Sequence, residues 1–355
     1  MKTAIQPVFT VHLNHIRNNY QILSAKASPA RTAAVVKDHA YGLGAEHIVR
    51  TLYPTCSAFF VAYAWEGAQI RPFAPNADIY VLQGIGADDL TTVKENRLIP
   101  VLSSLEDVAW WHNQGITDIK PALQIDTGLN RLGMRPADLH LLTSEQRRNI
   151  SLFMSHLACP DTPDHPMNAH QRNLFEECRQ MFPHVPLSLS ASGGTLLGSE
   201  YTYDLVRIGA LLYGITRPKS DDLPLKSALS IQATVLQTAS IDAGESISYG
   251  ATFTAAHPIK IAIVSIGYGD GLFVSLSNKG RFWIDGKSLP ILGRVCMDST
   301  ICDITNTPDL RPGDLIDVLN DTYTPDDMAR DAGTSAYEIL SRFGKGIRFI
   351  RKDEK

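Results

Sequence analysis

Eight short apolar segments recur between residues 33 and 208, and most are separated by helix-like stretches. Each segment is rich enough in Val, Ile, Leu or Phe to form a buried strand. Strand–helix alternation is typical of parallel βαβ units, and eight strands fit a closed (β/α)8 barrel of the TIM type. An open doubly wound sheet is the structural alternative, but no GxGxxG follows the first strand. The predicted strands are Ala33–Val36, Phe59–Ala62, Ile79–Leu82, Ile99–Leu102, Ala122–Ile125, Ser151–Met154, Pro186–Leu189 and Leu205–Ile208.

The pattern changes after Tyr213. Residues 219–225 are polar with prolines close by, which predicts a linker, and we expect domains of residues 1–218 and 219–355. Beyond the linker, strand-like runs follow one another without long helices, so the second domain is predicted to be mostly β. These runs are Leu229–Thr238, Ile259–Ile266, Arg281–Ile284, Leu289–Val295, Ser299–Ile304 and Asp314–Leu319.

Composition narrows the class of protein. The net charge of -4 provides no polybasic surface for nucleic acid or for an anionic membrane. No apolar run approaches the roughly 18 residues that a membrane helix needs, and residues 1–20 have no apolar segment of signal-peptide length. The five cysteines show no CxxC spacing, which favours reduced thiols over a disulfide framework or a zinc site. We therefore expect a cytoplasmic globular protein.

Polar residues follow the ends of several predicted barrel strands, where the active-site mouth of a barrel lies. Lys37 ends the first strand, and Arg131 follows the fifth. His156, Ser192 and Arg207 stand at or after the ends of the sixth, seventh and eighth strands. Each of them alone could be a solvated rim residue. A lysine directly after an apolar strand is more informative, because desolvation lowers the pKa of an amine and makes it a nucleophile or base.

Glycines stand after the last two predicted barrel strands. Those in SASGG and in Ile208-Gly209-Ala210 can let backbone N–H groups approach a phosphate closely. A lysine, a phosphate cradle and two cations are what pyridoxal phosphate requires. HExxH, GxSxG and P-loop motifs are missing from the sequence. The loop CPDTPDHP carries Asp161, Asp164 and His165, which leaves a metal site as a weaker alternative to a Pro-rich polar loop.

Six motifs in these regions resemble those of the alanine racemase family, in the family's order and across both predicted domains. They are VVKDHAYGLG around Lys37, IDTGLNRLG around Arg131, VRIGALLYGI, ISYGATFTA, IGYGDG at Ile266–Gly271 and GRVCMD at Gly293–Asp298. The resemblance implies a pyridoxal-phosphate-dependent isomerase that interconverts L- and D-alanine. It also implies that D-alanine is supplied for peptidoglycan, although the sequence leaves a catabolic role open.

The resemblance further implies a two-base mechanism in a homodimer. Lys37 would hold the cofactor covalently and act as one acid/base. Tyr268 of the partner subunit would be the opposing base, because racemisation needs one group on each face of the substrate. A packed tyrosine beside flexible glycines is the alternative for Tyr268. The second domain would therefore contribute to the partner subunit's active site.

The remaining site residues take their expected roles from the same resemblance. Arg131 would contact the cofactor's phenolic oxygen and the carboxylate side of the substrate. Arg207 would face the pyridine nitrogen with His156 beside it, unless it forms a structural ion pair with Asp204. Met297 of the partner subunit would lie beside the substrate carboxylate, unless it belongs to a core. The expected phosphate-binding set is Tyr41, Ser192, Gly209 and Ala210.

The chain departs from the family's pattern at four places. Asp38-His39 replaces small or amide residues after the lysine, and Ala191 stands where an asparagine is common. Gln124 occupies the position of a lysine that orients the arginine in some members. Gly344-Lys345 stands where many members place a tyrosine that touches the phosphate. These departures bear on affinity and substrate breadth more than on the type of reaction.

Three other functions remain as alternatives. A racemase for serine or another small amino acid would share the motifs. A decarboxylase of the same two-domain architecture is usually longer, and its motifs differ from IDTGLNRLG. A non-catalytic pyridoxal-phosphate-binding protein of the single-barrel type would lack residues 219–355 and IGYGDG.

Overall fold

The computed structural model describes residues 5–216, 223–344 and 349–352, the last of these by backbone alone. The contacts divide the chain into two compact units. The barrel unit consists of Arg17–Ala40 and Gly44–Leu212, and the β unit consists of Met1–Ile16, Tyr41–Leu43 and Tyr213–Lys355. The expected boundary between residues 218 and 219 lies outside the described residues.

Eight parallel strands form the sheet of the barrel unit, which confirms the predicted (β/α)8 barrel. The first and last strands pair directly, with Ala33 opposite Arg207. Backbone bonds from Asp204 N to Leu187 O at 3.1 Å and from Arg207 N to Ser190 O at 3.0 Å join the seventh and eighth strands. In chain order the strands are Arg31–Val35, Ala58–Val61, Asp78–Val81, Ile99–Leu102, Ala122–Gln124, Leu152–Met154, Leu187–Ser188 and Leu205–Ile208.

The helices of this region form where apolar spacing and capping residues agree. Helix Ala45–Leu52 buries Ile48, Val49 and Leu52 along one face. Ser104 caps helix Leu105–Asn113 by accepting a bond from Asp107 N. The other α-helices are Leu13–Ala27, Ala64–Ile70, Leu90–Glu95, Ser144–Arg148 and Pro166–Arg179. Short 3₁₀ helices span Arg71–Phe73, Ala87–Asp89, Pro136–Leu141, Gly193–Leu196, Ser199–Tyr201 and Ala210–Tyr213.

The β unit is built around one long strand, Leu229–Ile241, which confirms the predicted mostly-β second region. It pairs antiparallel with Val8–His12, Ile259–Val264 and Leu315–Leu319. Strand Val8–His12 also pairs in parallel with Phe349–Lys352. The remaining strands are Ser246–Ile247, Phe253–Thr254, Arg281–Ile284, Lys287–Pro290 and Thr300–Asp303. The helices are Pro325–Ala332 and Ala336–Phe343, with 3₁₀ helices Tyr249–Ala251, Tyr268–Asp270 and Val274–Leu276.

Each unit has its own apolar core. In the barrel unit Phe153 is fully buried and stacks on Phe182, with ring centroids 4.5 Å apart. In the β unit Phe9 packs against Phe343 with centroids 5.8 Å apart, which joins the N-terminal strand to the last helix. Across the residues that the structure describes, no helix is long and apolar enough to cross a membrane.

Candidate active site

Lys37 follows the first barrel strand at the carboxyl end of the sheet, the end where barrels carry their functional residues. Its side chain is partly buried. Burial lowers the pKa of the Lys37 amine, and the nearby Arg131 guanidinium lowers it further, while Glu66 and Asp38 act in the opposite direction. The net lowering of the pKa increases the share of unprotonated amine, which is the nucleophilic and basic form.

A left-handed helical turn follows Lys37. Asp38, His39, Ala40 and Tyr41 all have φ between 51° and 57°. This conformation costs about 1–2 kcal/mol per residue for L-amino acids, so the surroundings must hold it. Asp and His adopt it more readily than most residue types, so Asp38 and His39 suit this backbone. Both of these side chains are exposed.

Arg131 lies exposed on a loop that is closed at its base. Backbone bonds from Met134 N to Gln124 O at 2.9 Å and from Asp126 N to Met134 O at 3.0 Å join its two ends. The Gln124 amide donates to Leu132 O at 2.5 Å. Gln124 therefore holds the backbone next to Arg131 rather than the guanidinium itself.

The buried carboxylate of Asp126 organises the inside of this loop. One oxygen accepts bonds from Gly128 N and Asn130 N, both at 3.0 Å, and the other accepts from Arg135 at 3.2 Å. Asp126 therefore stabilises the conformation of the loop that contains IDTGLNRLG, because both of its carboxylate oxygens accept hydrogen bonds from residues of that loop.

Arg207 is 3% exposed and stands inside a set of oxygen acceptors. It donates to Ser188 O at 2.9 Å, to Ser188 Oγ at 2.6 Å and to Ser155 O at 2.7 Å. Burial lowers the pKa of Arg207 to about 9, which leaves it protonated at neutral pH. Asp204 instead accepts a bond from Leu187 N at 2.8 Å, and the described ion pairs include none between Asp204 and Arg207.

His156 lies beside Arg207, with Nη2 of the arginine 3.2 Å from Nδ1 of the imidazole. Because an arginine only donates, Nδ1 is the acceptor and the ring proton of a neutral His156 is on Nε2. Burial lowers the pKa of His156 to about 3, with Arg207, Arg131 and Lys37 adding to the effect. His156 is therefore neutral in the physiological pH range.

The loops after the seventh and eighth strands are tied together by Ser192. Its buried hydroxyl oxygen accepts bonds from Gly209 N at 2.9 Å and from Leu211 N at 3.3 Å. Ala210 is buried and begins the short helix Ala210–Tyr213. Ala191 pairs with Arg207 as an isolated parallel bridge. A hydroxyl and backbone amides thus meet where barrels commonly bind phosphate.

The glycines of SASGG have a second explanation in packing. A Cβ on Gly194 would lie 2.5 Å from Ser190 Oγ, and one on Gly193 would lie 2.8 Å from Asp161 Oδ1. His165 caps helix Pro166–Arg179 by accepting a bond from Met167 N. The loop with Asp161 and His165 is therefore explained by glycine packing and helix capping. The part of the chain that the structure describes contains no cluster of three or more potential metal ligands.

The charges of the barrel unit suit an anionic cofactor. Among the described residues, Lys37, Arg131 and Arg207 have no ion-pair partner. Arg207 is buried, and a buried cation without a counter-ion is costly, so its charge favours an anionic ligand. The amine, the cations and the Ser192 loop together fit pyridoxal phosphate, which has an aldehyde, a phenolic oxygen and a phosphate.

Tyr41 belongs to the β unit. Gly344, one of the positions where the chain departs from the family's pattern, belongs to the same unit. The ring of Tyr41 is 4.8 Å from that of Tyr213 and 6.0 Å from that of Tyr337, measured between centroids. A Cβ on Gly344 would lie 2.2 Å from Gly42 Cα, so close packing explains the glycine at 344. Lys345 lies outside the described residues.

Tyr268 and Met297 are exposed on two loops of the β unit that are bonded together. The side chain of Tyr268 is 38% exposed and that of Met297 is 54% exposed. Tyr268 N donates to Cys296 O at 2.9 Å, and Gly269 N donates to Met297 O at 2.8 Å. A Cβ on Gly267 would lie 2.2 Å from Met297 O. IGYGDG and GRVCMD are therefore parts of one structural element, and Gly267 permits their close approach.

The motif ISYGATFTA adjoins the same loops. Ser248 Oγ donates to Arg294 O at 2.6 Å, and a Cβ on Gly293 would lie 2.7 Å from Ile247 O. Tyr249 is 72% exposed. Three motifs far apart in the β region thus meet around an exposed set of aromatic and apolar side chains.

The structure also reveals supporting residues that the motifs did not indicate. Gln171 is fully buried, accepts a bond from Ala158 N at 2.8 Å and donates to His156 O at 2.9 Å. Glu66 is buried and bonds the amide of His39. Gln171 gives no signal in the sequence beyond a polar residue in a helix. Glu66 follows the second barrel strand closely, and that position is a sequence signal for a functional or supporting residue.

Comparisons with known proteins agree across nearly the whole chain. The family profile described as "Alanine racemase, N-terminal domain" matches residues 11–217, and "Alanine racemase, C-terminal domain" matches residues 228–351. A protein of Agrobacterium fabrum named "Alanine racemase, catabolic" is 41% identical over 350 residues, which are 96% of this chain and 90% of that protein.

Two solved structures extend the agreement to three dimensions. The alanine racemase of Bartonella henselae with covalently bound pyridoxal phosphate is 33% identical, with a TM-score of 0.93 over 98% of this chain and 100% of that chain. The biosynthetic alanine racemase of Pseudomonas aeruginosa is 30% identical, with a TM-score of 0.93 over 99% of this chain and 100% of that chain.

Proposed function

Because the chain belongs to the alanine racemase family, we propose that it interconverts L- and D-alanine with Lys37 and Tyr268 as its two acid–base groups. The predicted resemblance to this family is confirmed. The protein is an isomerase, and its cofactor is pyridoxal phosphate. The observation that carries the proposal is the partly buried Lys37 amine with a lowered pKa, at the carboxyl end of the barrel.

When bound, pyridoxal phosphate supplies an electron sink that makes the α-proton of the amino acid acidic. Lys37 would hold the cofactor covalently and exchange a proton with one face of Cα. Its lowered pKa supports both tasks, because an amine must lose its proton before it can bond carbon or accept a proton.

Arg207 and His156 would hold the pyridine nitrogen. Arginine does not release its proton, and His156 is neutral, so neither group protonates that nitrogen at physiological pH. An unprotonated ring is the weaker electron sink. This favours return of the proton to Cα over transamination, which suits a racemase.

The phosphate would be held by Ser192, Gly209, Ala210 and Tyr41. The hydroxyl of Ser192 already orients the amides of Gly209 and Leu211 after the last two barrel strands. Arg131 would bind the phenolic oxygen and the carboxylate side of the substrate, and its exposed position on a closed loop supports this role.

Tyr268 and Met297 of the partner subunit would complete each site in a homodimer. Their exposure, together with that of Tyr249, supports a surface of the β unit that is covered by another chain. Residues 219–355, the proposed second domain, would thus act on the partner subunit's cofactor. Tyr268 would exchange a proton with the face of Cα opposite to Lys37.

Absorption and activity test the central assignment. The purified protein should absorb visible light as a yellow protein and should racemise alanine. Lys37→Ala should remove both the visible band and the racemisation. If the band persists in Lys37→Ala, another residue holds the cofactor and the assignment is wrong. A panel of L-amino acids, including serine, measures the substrate breadth and tests the alternative racemases.

We further propose that the enzyme acts in the cytoplasm and supplies D-alanine for peptidoglycan. Five free cysteines support a reducing compartment. A second candidate role, breakdown of D-alanine, is favoured by the catabolic name of the relative from Agrobacterium fabrum. Deleting the gene distinguishes the roles, because loss of the biosynthetic enzyme should create a requirement for D-alanine, whereas loss of the catabolic one should impair growth on alanine.

A further inference from the structure

The left-handed turn after Lys37 needs a structural support. Backbone bonds from Ala40 N to Val36 O and from Gly44 N to His39 O, both at 2.9 Å, fix its two ends. The amide of His39, in the middle of the turn, donates instead to Glu66 Oε1 at 3.3 Å. A side chain that follows the second barrel strand therefore bonds the turn that follows the first.

Glu66 is itself anchored by the backbone around it. Its other oxygen accepts bonds from Ala62 N at 2.6 Å and from Tyr63 N at 3.2 Å. The residue is only 5% exposed, and no ion pair of Glu66 occurs within residues 5–216 and 223–344. Three backbone amides therefore bond the two oxygens of this buried carboxylate. Glu66 thus combines a fixed negative charge with an acceptor for the turn.

Three charged groups of the barrel unit act electrostatically on Lys37. Burial and Arg131 lower the pKa of the amine, Glu66 and Asp38 raise it, and His156 is neutral. Asp38 is exposed, so solvent screens its charge, whereas the charge of Glu66 is buried and held in place. Of these two negative groups, Glu66 is therefore the one that we expect to raise the proton affinity of Lys37 more.

We infer that Glu66 is a positioning residue that holds the left-handed turn, and with it the Lys37 amine, in the geometry for cofactor attachment. Its fixed charge also moderates how readily the amine loses its proton. The inference rests on the function proposed above, because it requires Lys37 to be the group that bonds the cofactor.

Asp107 provides a matched control. It is the third residue of helix Leu105–Asn113, which follows the fourth barrel strand, and its carboxylate accepts a bond from Ser103 N at 2.8 Å. Glu66 occupies the same third position in helix Ala64–Ile70. Both acids therefore cap a helix after a barrel strand, but only Glu66 bonds the turn of residues 38–41.

The test measures uptake of pyridoxal phosphate by the full-length apoprotein, followed by visible absorption across a range of pH. Glu66→Gln should weaken cofactor binding roughly 10- to 100-fold, because the amide has one acceptor oxygen where the carboxylate has two and so leaves one of its two sets of N–H donors unpaired. It should also move the midpoint of the attachment rate to lower pH, because a negative charge near the amine is lost. Asp107→Asn should resemble the wild type in both respects.

Two further variants separate the hydrogen bond from the charge. Asp38→Asn should lower the midpoint slightly and leave affinity unchanged, because Asn also accepts a left-handed backbone. Glu66→Asp keeps the charge but is one methylene shorter, so it should keep the midpoint and lose affinity. If Glu66→Gln does not fold, the affinity of Glu66→Asp for the cofactor tests the inference in its place.

The possible failures are distinguishable. A wild-type chain that takes up no cofactor at Lys37 overturns the proposed function and this inference together. If the wild type takes it up but Glu66→Gln and Asp107→Asn behave alike, only the inference is wrong. Wild-type affinity in Glu66→Asp also overturns it.

Discussion

The candidate residues of the barrel unit and of the β unit are held in different ways. In the barrel unit, Arg207 and Ser192 are buried and bonded through their side chains. In the β unit, Tyr268 and Met297 have exposed side chains, while their backbones are bonded firmly to each other's loops. The first set of side chains is bonded within this chain. The second presents side chains outward, as expected of residues that serve a partner.

Mixing two inactive variants tests whether Tyr268 of the β unit serves a partner's site, and it should change the activity more than any other test. Lys37→Ala and Tyr268→Phe should each lose nearly all racemase activity. Subunits exchanged between the two variants should regain about a quarter of wild-type activity, because half of the dimers are mixed and each has one intact site. Activity after mixing is the measurement. If none returns although mixed dimers form, Tyr268 does not serve the partner's site.

Tyr268→Phe alone tests the division of labour between the two units. We expect the rate in the L-to-D direction to fall by about 10²- to 10⁴-fold, the usual contribution of a general acid or base. Deuterium washout from each enantiomer in single turnovers should show that one α-proton still exchanges through Lys37. Equal loss of exchange from both enantiomers would contradict the two-base assignment.

Gly267→Ala tests whether the backbone contact between the β-unit loops positions Tyr268. The new Cβ would meet Met297 O at 2.2 Å and push the two loops apart. A displacement of about 1 Å can cost on the order of 10²-fold in rate, so kcat should fall while cofactor absorption stays normal. Gly269→Ala is the control, since its nearest neighbour would be 3.1 Å away. Similar loss in both variants would argue against this specific contact.

Protonation of His156 should have a smaller effect, which is a change in the free energy of unfolding of the barrel unit with pH. Its pKa is about 3 in the folded chain and near the ordinary 6.5 when unfolded, so the unfolded chain binds the extra proton between these values. Stability should therefore fall as pH drops below 6.5, by about 2 kcal/mol between pH 6.5 and 5. His156→Gln should remove this part of the pH dependence. Denaturant unfolding at pH 7 and pH 5 measures it, and an unchanged dependence would mean that His156 does not titrate as expected.

Much of the fold was predictable because its signals are local. All eight barrel strands lie within two residues of their predicted positions, since each is a short apolar run between helix-forming stretches. For strand Val8–His12, no local pattern in the sequence indicates which strands it pairs with. It pairs with Leu229–Ile241, more than 200 residues away, and only a tertiary contact decides that pairing.

The candidate active site likewise has features that the sequence predicts and others that only the tertiary structure decides. The sequence alone placed Lys37, Arg131, His156, Ser192 and Arg207 at strand ends, because parallel strands bring their carboxyl ends to one edge. It carried no sign that Gln124 would bond the backbone of Leu132 or that Gly344 would pack on Gly42.

At Lys37 the sequence and the tertiary structure each determine a different property. Its position after an apolar strand and within VVKDHAYGLG was enough to predict a cofactor lysine. Its support was decided by the tertiary structure, because the left-handed turn and the buried carboxylate of Glu66 come from different βα connections. Residue order determines which groups are available, whereas the distances and burial that set the proton affinity of an amine arise only when the strands are closed into a barrel.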